Sequence, residues 1–271
     1  MRRFFIILIG CVLLSGAAFP QGKTRNIKKE VVPTMMFGAT YAALLPGFDT
    51  RTDYGFSNTI GGSMVYKTDH NWLFTANGNL IFGNQLKKSR IEIMGEGITT
   101  TTGDVIGGGG LYSSMAFFQR GLLLQAEAGK LFPYRPNPNS GFFVQFGLGY
   151  LMNRIKIEYQ IEAQNDPYCL IDDYQYGYDQ MRGGPSLHAE TGYLLMSDSR
   201  LYNFAVSLEL TYARTRSLRD YDFRVFFDDN GQPYTMGYND KNKRFNDFYY
   251  GIRISWFFPT YQRQAEAYYY N

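Results

Sequence analysis

Alternation of apolar and polar residues, repeated along most of the chain, restricts its fold more than any other feature. In 248–258, Tyr250, Ile252 and Trp256 fall on one side of an extended chain, while Gly251 and Arg253 fall on the other. This period-two pattern is typical of a β-strand with one apolar and one polar face. Seven further segments carry it, at 34–45, 57–67, 72–82, 121–132, 141–160, 184–197 and 203–213. The sequence therefore predicts an all-β protein of eight strands.

The connections between these segments sort into short and long ones that alternate along the chain. The short turns are 68–71, 133–140 and 198–201, and the long loops are 46–56, 84–120, 161–183 and 218–246. Bacterial barrels have an even number of antiparallel strands, short periplasmic turns and long outer loops. Each segment is also close to the roughly nine to eleven residues that a tilted strand needs to cross a bilayer. We therefore predict an eight-stranded antiparallel transmembrane β-barrel with long extracellular loops.

Composition separates this barrel from a soluble β-sandwich, whose strands also alternate. Aromatic residues make up 17% of the chain and many stand at the ends of the apolar strand faces. Transmembrane barrels place such aromatic girdles at both membrane interfaces. Beyond the N-terminal leader no run of about 18 apolar residues occurs, so no transmembrane helix is predicted.

Two segments leave details of the strand count open. A strand at 110–119 would make nine, but Leu111, Met115 and Phe118 recur at helical spacing. The spacing therefore predicts a short helix in the outer loop. The alternation of 141–160 loses phase near Asn153 and Arg154, which indicates either a bulge or a strand that continues beyond the bilayer.

The N-terminus has the layout of a secretory signal peptide. Met1-Arg2-Arg3 supplies positive charge, Phe4–Leu14 is apolar, and Gly16-Ala17-Ala18 offers small residues for cleavage. The predicted organisation is a signal peptide at 1–21, a periplasmic segment at 22–33, the barrel at 34–259 and a periplasmic tail at 260–271. A competing interpretation is lipoprotein processing at Cys11, although the apolar run continues past it. With Cys11 in the leader, Cys169 is the one remaining thiol and no internal disulfide is expected.

If the apolar strand faces meet lipid, the polar faces point into the barrel. Eight strands enclose little more than side chains, and an unpaired charge buried there is costly. We therefore predict a lumen that is plugged by paired charges and does not conduct. The predicted network consists of Lys67, Glu127, His188, Glu190, Glu209 and Arg253.

Signals for chemistry are weak. Ser186, His188 and Glu190 are the residue types of a hydrolytic triad on one predicted strand, but neighbours on one face stand about 7 Å apart, too far for a direct relay. With two histidines and one thiol in the mature chain, no metal or cofactor site is predicted. The net charge of +3 comes from scattered basic residues, which gives no indication of nucleic-acid binding. Aromatic residues in loops 161–183 and 218–246 form either a partner-binding surface or a cap over one another.

Several motifs in the second half of the chain carry a family resemblance. They are Lys130–Pro133, Pro136–Gly141, Gly147–Leu151, Arg154–Ile157, Tyr176–Met181 and Ile254–Pro259. On these motifs the chain resembles a family of Bacteroidetes outer-membrane barrels. It is similar, more distantly, to small barrels that accompany the type IX secretion apparatus or the barrel-assembly machinery of that phylum. The resemblance implies an outer-membrane location and brings no catalytic residue, because the motifs are turn glycines, a proline turn and girdle aromatics.

The sequence thus predicts a non-enzymatic barrel of the bacterial outer membrane. The expected role is an accessory or scaffold subunit of an envelope complex, for protein secretion or outer-membrane assembly. The barrel would contact outer-membrane lipid and bind other envelope proteins through its outer loops or its wall. Two alternatives stay open at this point: a narrow channel or ligand-binding barrel, and a lipid-modifying barrel enzyme around Ser186, His188 and Glu190.

Overall fold

A single antiparallel barrel of eight strands forms the body of the protein. The computed structural model describes residues 29–134, 136–159, 174–197 and 201–260. The barrel strands are β1 (Thr34–Gly47), β2 (Ser57–Lys67), β3 (Trp72–Gly83), β4 (Met115–Tyr134), β5 (Asn137–Tyr159), β6 (Arg182–Leu195), β7 (Phe204–Ser217) and β8 (Arg244–Pro259). Each strand pairs with the next in the chain, and β1 pairs with β8 to close the sheet. The predicted fold class is confirmed. The predicted leader at 1–21 and all but the first residue of the predicted tail lie outside the described residues.

The outer surface of the barrel is apolar over the thickness of a bilayer core. On β8 the outward side chains run from Phe248 through Ile252 and Ile254 to Phe258, and most are exposed. Ten residues span about 33 Å along a strand and, at a tilt of about 40°, about 25 Å along the barrel axis. The lipid-facing band of transmembrane barrels has this height. The wall therefore faces lipid, and the end with the short turns, where β1 begins and β8 ends, is the periplasmic end.

The interior is filled by three layers of side chains. An apolar floor closes the periplasmic end and consists of Val32, Met36, Val65, Leu73, Leu131, Phe143, Leu194, Met196, Ala205 and Phe257. Polar and charged side chains occupy the middle. A second apolar layer covers them toward the outside and consists of Ala42, Leu44, Ile81, Leu123, Leu151, Ala213 and Tyr249. The charged middle is thus sealed on both sides.

The helix predicted at 110–119 is wrong. Residues from Met115 onward belong to β4, and Met115 pairs with Tyr159 of β5. Ahead of it, Tyr112–Ser113 pairs with Val105–Ile106 as a small hairpin with two residues in each strand. Extending an existing strand satisfies the backbone hydrogen-bonding groups of this segment against β5 and buries Met115. The strand count stays even, because the segment lengthens a strand instead of adding one.

The loss of alternation near Asn153 marks a strand that leaves the membrane. The register of β4 with β5 is continuous there, with Gly121 opposite Asn153 and Arg120 opposite Arg154, and it shifts only between Pro133 and Tyr134. The phase of the strand does not change. Its outward residues change from apolar to charged, which explains the irregular pattern without a bulge at this position.

The periplasmic turns are tighter than their sequence suggests. Strand β4 continues through Tyr134 and β5 begins at Asn137, so most of the turn predicted at 133–140 is strand. In the turn at 68–71, Asn71 adopts a φ of 59°, a left-handed conformation that asparagine tolerates better than most residues. Residues 198–200 of the third predicted turn lie outside the described residues.

The long connections fold over the extracellular end into a layer that we call the crown, residues 48–56, 84–114, 174–181 and 218–243. It contains helices α1 (Phe48–Asp53), α2 (Arg90–Met94) and α3 (Gln175–Tyr178), a 3₁₀ turn at Glu96–Ile98, and a second small hairpin of Val225–Phe227 with Pro233–Thr235. Residues 160–173 of the predicted loop 161–183 lie outside the described residues. In the described ranges no helix has the length and apolar character needed to cross a membrane.

Candidate functional site

The middle layer of the lumen brings five of the predicted network residues together. Strand β6 supplies His188 and Glu190, and β4, β7 and β8 supply Glu127, Glu209 and Arg253. Arg253 forms a direct ion pair with Glu209, and its Nη1 lies 3.5 Å from Glu190 Oε2. His188 Nδ1 lies 3.2 Å from Glu127 Oε1, and its Nε2 lies 3.5 Å from Glu209 Oε2. All five residues are buried, so we call this group the lumen cluster.

Neutral side chains complete the surroundings of the lumen cluster. Asn77 Nδ2 donates a hydrogen bond to Glu127 Oε1 at 2.7 Å, and Ser207 Oγ donates to Glu190 Oε1 at 2.5 Å. Arg253 Nη2 donates to Gln125 Oε1 at 3.2 Å. Arg253 is therefore the one arginine among three glutamates in this cluster. Its guanidinium can donate in several directions at once, which lets it hold two carboxylates together.

Lys67 lies apart from the lumen cluster. It ends β2 at the periplasmic side, where its Nζ donates to Asn139 Oδ1 at 2.8 Å and to the carbonyl oxygen of Val32 at 3.2 Å. Alternation correctly indicates that Lys67 points inward, but it carries no information on height in the barrel. The position of Lys67 at the end of its predicted strand was the signal that could have separated it from the others.

Ser186, His188 and Glu190 all point into the sealed lumen. The two imidazole nitrogens of His188 face Glu127 and Glu209, and Ser186 Oγ has no hydrogen-bond partner within the described ranges. The geometry therefore contains no Ser-His relay, and the closed sheet separates these residues from membrane lipid.

The lumen cluster does contain a set of atoms that could coordinate a small cation. Glu127, His188 and Glu190 each offer one ligand atom, and these atoms lie within 4.8 Å of one another. Carboxylate oxygen and imidazole nitrogen are both ligand types that zinc accepts, and three protein ligands with a fourth open position are usual in its catalytic sites. This proximity depends on the pairing of distant strands, so the sequence, from which no metal site is predicted, gives no sign of it.

Gly147 leaves the space that Glu127 occupies. A Cβ at position 147 would stand 2.5 Å from Glu127 Cγ and 2.4 Å from the Ala126 carbonyl oxygen. We expect Gly147→Ala to destabilise the folded barrel by about 1–3 kcal/mol, the usual cost of overpacking. Urea titration of folding into lipid vesicles measures the change. Gly62→Ala is the matched control, because its Cβ would meet nothing closer than 3.7 Å, and equal losses in both variants would contradict this explanation.

A second buried cluster, which the sequence reasoning missed, joins the barrel to the crown. Arg182 at the start of β6 is fully buried and forms direct ion pairs with Asp53 of α1 and, at 2.6 Å, with Asp247 of β8. Its Nη1 also lies 3.2 Å from the Tyr238 hydroxyl, and Lys88 Nζ lies 3.4 Å from Asp53. We call these five residues the crown anchor. Arg182 shares its strand face with Ser186 and His188, so alternation alone could have placed it inside.

Burial shapes the protonation of the crown anchor. It raises the pKa of Tyr238 to about 12, against the opposing effect of Arg182, so the phenol stays neutral. Burial also lowers the pKa of Lys88, against the opposing effect of Asp53. Asp247 accepts further hydrogen bonds from Thr50 at 2.7 Å and Thr215 at 2.6 Å. Its carboxylate is therefore well satisfied.

Arg224 connects two segments of the crown. It pairs with Asp222 through two nitrogens, at 2.9 and 2.6 Å, and donates to the carbonyl oxygens of Met236 at 2.6 Å and Glu92 at 3.0 Å. The segment 218–243 is thereby tied to the segment 84–114. Aromatic side chains contribute to the same layer, since Tyr178, Phe226 and Tyr238 are buried.

Other apolar side chains of the crown stay exposed at its tips. One small hairpin presents Ile106, Leu111 and Tyr112, and Leu111 and Tyr112 are exposed over 66% and 69% of their surfaces. The other hairpin presents Phe227, Tyr234 and Met236. In the described part of loops 161–183 and 218–246, some aromatic side chains are therefore buried as a cap, and others, such as Phe227 and Tyr234, lie on the exposed surface.

No protein-family model and no curated protein matches the chain. Among solved structures it is similar to Ail, the attachment invasion locus protein of Yersinia pestis, in complex with the heparin analogue sucrose octasulfate, at 9% identity over 83% of this chain and 99% of that one, with a TM-score of 0.37. It is also similar to Neisserial surface protein A, at 14% identity over 81% and 96% of the two chains, with a TM-score of 0.32. The closed sheet, the apolar wall and the plugged lumen of this chain are by themselves those of a small β-barrel of the bacterial outer membrane.

Proposed function

We propose that this outer-membrane barrel is a non-enzymatic scaffold or accessory subunit of an envelope complex, and that it binds a protein partner through one tip of its crown, the small hairpin at 105–113. The observation that carries the proposal is the exposed apolar surface at Leu111 and Tyr112. Adjacent exposed apolar side chains on an outer loop, outside the strand segments that face lipid, are typical of an interaction surface.

The crown anchor supports this role, because a partner would meet a surface already held in place. Arg182 and Arg224 tie the bases of the crown segments to the barrel and to one another. Binding to a pre-organised surface loses less conformational entropy than binding to loose loops. The motif resemblance to Bacteroidetes barrels favours a complex for protein secretion or outer-membrane assembly.

Co-purification from detergent-solubilised outer membrane tests the proposal. The wild-type barrel is expected to recover a partner in stoichiometric amount, and Leu111→Ser/Tyr112→Ser is expected to lose most of it. Asn230→Ser/Gln232→Ser is the matched control, since both residues are exposed in the turn of the other hairpin. Recovery of no stoichiometric partner, or equal recovery by both variants, would contradict the role.

A narrow channel or ligand-binding barrel is the second candidate, and one observation favours it. A cavity of about 20 Å³ lies in the lumen beside Glu190 and Arg253, which is room for about one water. The apolar floor separates this space from the periplasm. We therefore expect no stable conductance steps from the purified barrel in planar bilayers. Reproducible single-channel steps would favour the channel over the scaffold subunit.

A further inference from the structure

Basic side chains follow directly above the lipid-facing band on one part of the wall. On β4, β5 and β7 the first outward residue beyond the apolar band is Arg120, Arg154 and Arg214, respectively. Further out, β5 adds Lys156, β7 adds Arg216 and β8 adds Arg244. We call these six residues the outer basic belt. They lie at the height where the headgroups of the outer leaflet begin.

Two pairs within the outer basic belt place like charges directly opposite each other. Arg120 faces Arg154 across β4 and β5, and Arg216 faces Arg244 across β7 and β8. Like charges in such cross-strand pairs destabilise a sheet. In the part of the chain that the structure describes, no carboxylate lies within ion-pair distance of any of the five arginines, while Lys156 pairs with Glu158 at 2.6 Å. An anion between the paired arginines would remove the repulsion.

The wall between the charged residues forms a groove. Strand β6 contributes Gly183 and Pro185 there, next to Tyr150 and to Leu218 at the start of the crown. Arg214, Arg216 and Arg244 line the same groove. Below it, the outward residues Leu148 and Leu187 are exposed on the lipid-facing wall. The arrangement therefore combines a site for negative charge with an apolar surface along which acyl chains can lie.

The outer basic belt covers only one side of the barrel. At the corresponding ends of β1, β2 and β3 the outward residues are Leu45, Asn58 and Phe82. A uniform ring of arginines would indicate general attraction to the headgroup region. Basic residues at the outward strand positions of one side only, in opposed pairs beside a groove, favour a defined bound molecule.

We propose that the outer basic belt binds the phosphate groups of an outer-leaflet lipid, whose acyl chains lie against the wall below Tyr150. Arginine suits this ligand because its planar guanidinium donates two parallel hydrogen bonds to a phosphate. The site is separate from the crown tips, so this proposal does not depend on whether the crown binds a protein.

The test uses the full mature chain in nanodiscs of phosphatidylcholine that contain a bisphosphorylated lipid A. Native mass spectrometry after release from the nanodiscs reports how much lipid A stays bound. The test variant is Arg216→Gln/Arg244→Gln. The control is Arg51→Gln/Lys87→Gln, which removes the same charge from exposed positions of the crown outside the belt.

We expect the wild type and the control to retain lipid A and the belt variant to retain it about tenfold less, since two charge-assisted contacts are lost. Lipid A without its phosphates should not be retained by any of the three. In pure phosphatidylcholine the belt variant should unfold at the same temperature as the wild type or higher, because the opposed charges are gone. Equal retention by wild type and belt variant, or equal retention of the dephosphorylated lipid, would overturn the proposal.

Discussion

Replacing Arg253 with methionine is expected to destabilise the folded barrel by about 3–5 kcal/mol, the cost of removing one partner from a buried ion pair. Arg253 holds Glu209 and Glu190 together in a layer that is sealed by apolar side chains above and below. Without the guanidinium, no other arginine or lysine of the described residues pairs with these carboxylates, and the low dielectric of the lumen makes that costly. Urea titration of folding into lipid vesicles measures the loss.

Two further variants show whether the loss comes from charge. Arg244→Met lies on the same strand but on its exposed outer side, and we expect it to change stability by less than about 1 kcal/mol. Adding Glu190→Gln and Glu209→Gln to Arg253→Met should restore a large part of the stability, because the uncompensated charges are then absent. If the triple variant were no more stable than Arg253→Met alone, the charge explanation would be wrong.

The second large effect is expected at the crown anchor. Arg182→Met should cost about 3–5 kcal/mol, because Asp53 and Asp247 would stay buried without their common partner. Unlike the loss at Arg253, this one should open the crown first, since α1 and the segment that carries Tyr238 meet at Arg182. Limited proteolysis of the folded barrel should then cut the segments 84–114 and 218–243 at least tenfold faster, in line with the cost of local opening.

The matched control for Arg182 is Arg90→Met. Arg90 pairs with Asp104 at 3.8 Å and half of its side chain is exposed, so we expect its loss to cost less than about 1 kcal/mol and to leave the proteolysis rate unchanged. Asp53→Asn/Asp247→Asn in the Arg182→Met background should slow the cleavage again. Unchanged cleavage in Arg182→Met would show that the crown is held by its apolar contacts alone.

The strands, the direction of their faces and the side of the membrane on which the long loops lie could be predicted, because each follows from local rules. Side chains alternate strictly along a strand, so the apolar outer face of β8 and the inward position of Arg253 follow from the residue pattern alone. Strict alternation of short and long connections then sets the strand count and the sides of the membrane. Alternation was not decisive at 110–119, because this short apolar run fits both the period of a helix and that of a strand. Pairing of its second half with β5 makes that half a strand.

The contacts inside the barrel and the crown could not be predicted, because they join residues that are far apart in the chain. Arg182 and Asp53 are separated by 129 positions, and nothing in either neighbourhood indicates the other. The height of an inward side chain along the barrel axis depends on the register between strands. Lys67 and Glu127 therefore both point into the lumen but lie at different heights. The opposition of Arg216 and Arg244 likewise exists only in the paired sheet.

The sequence by itself therefore determined that the strands present an apolar wall to the membrane and turn their charged residues inward, since a period of two leaves each side chain only two directions. The tertiary structure alone decided which inward charges meet, that the crown is locked to the barrel at Arg182, and that arginines oppose one another above the lipid-facing band. The physical reason is that strand register and loop packing are set by the whole sheet, and no local stretch of residues encodes them.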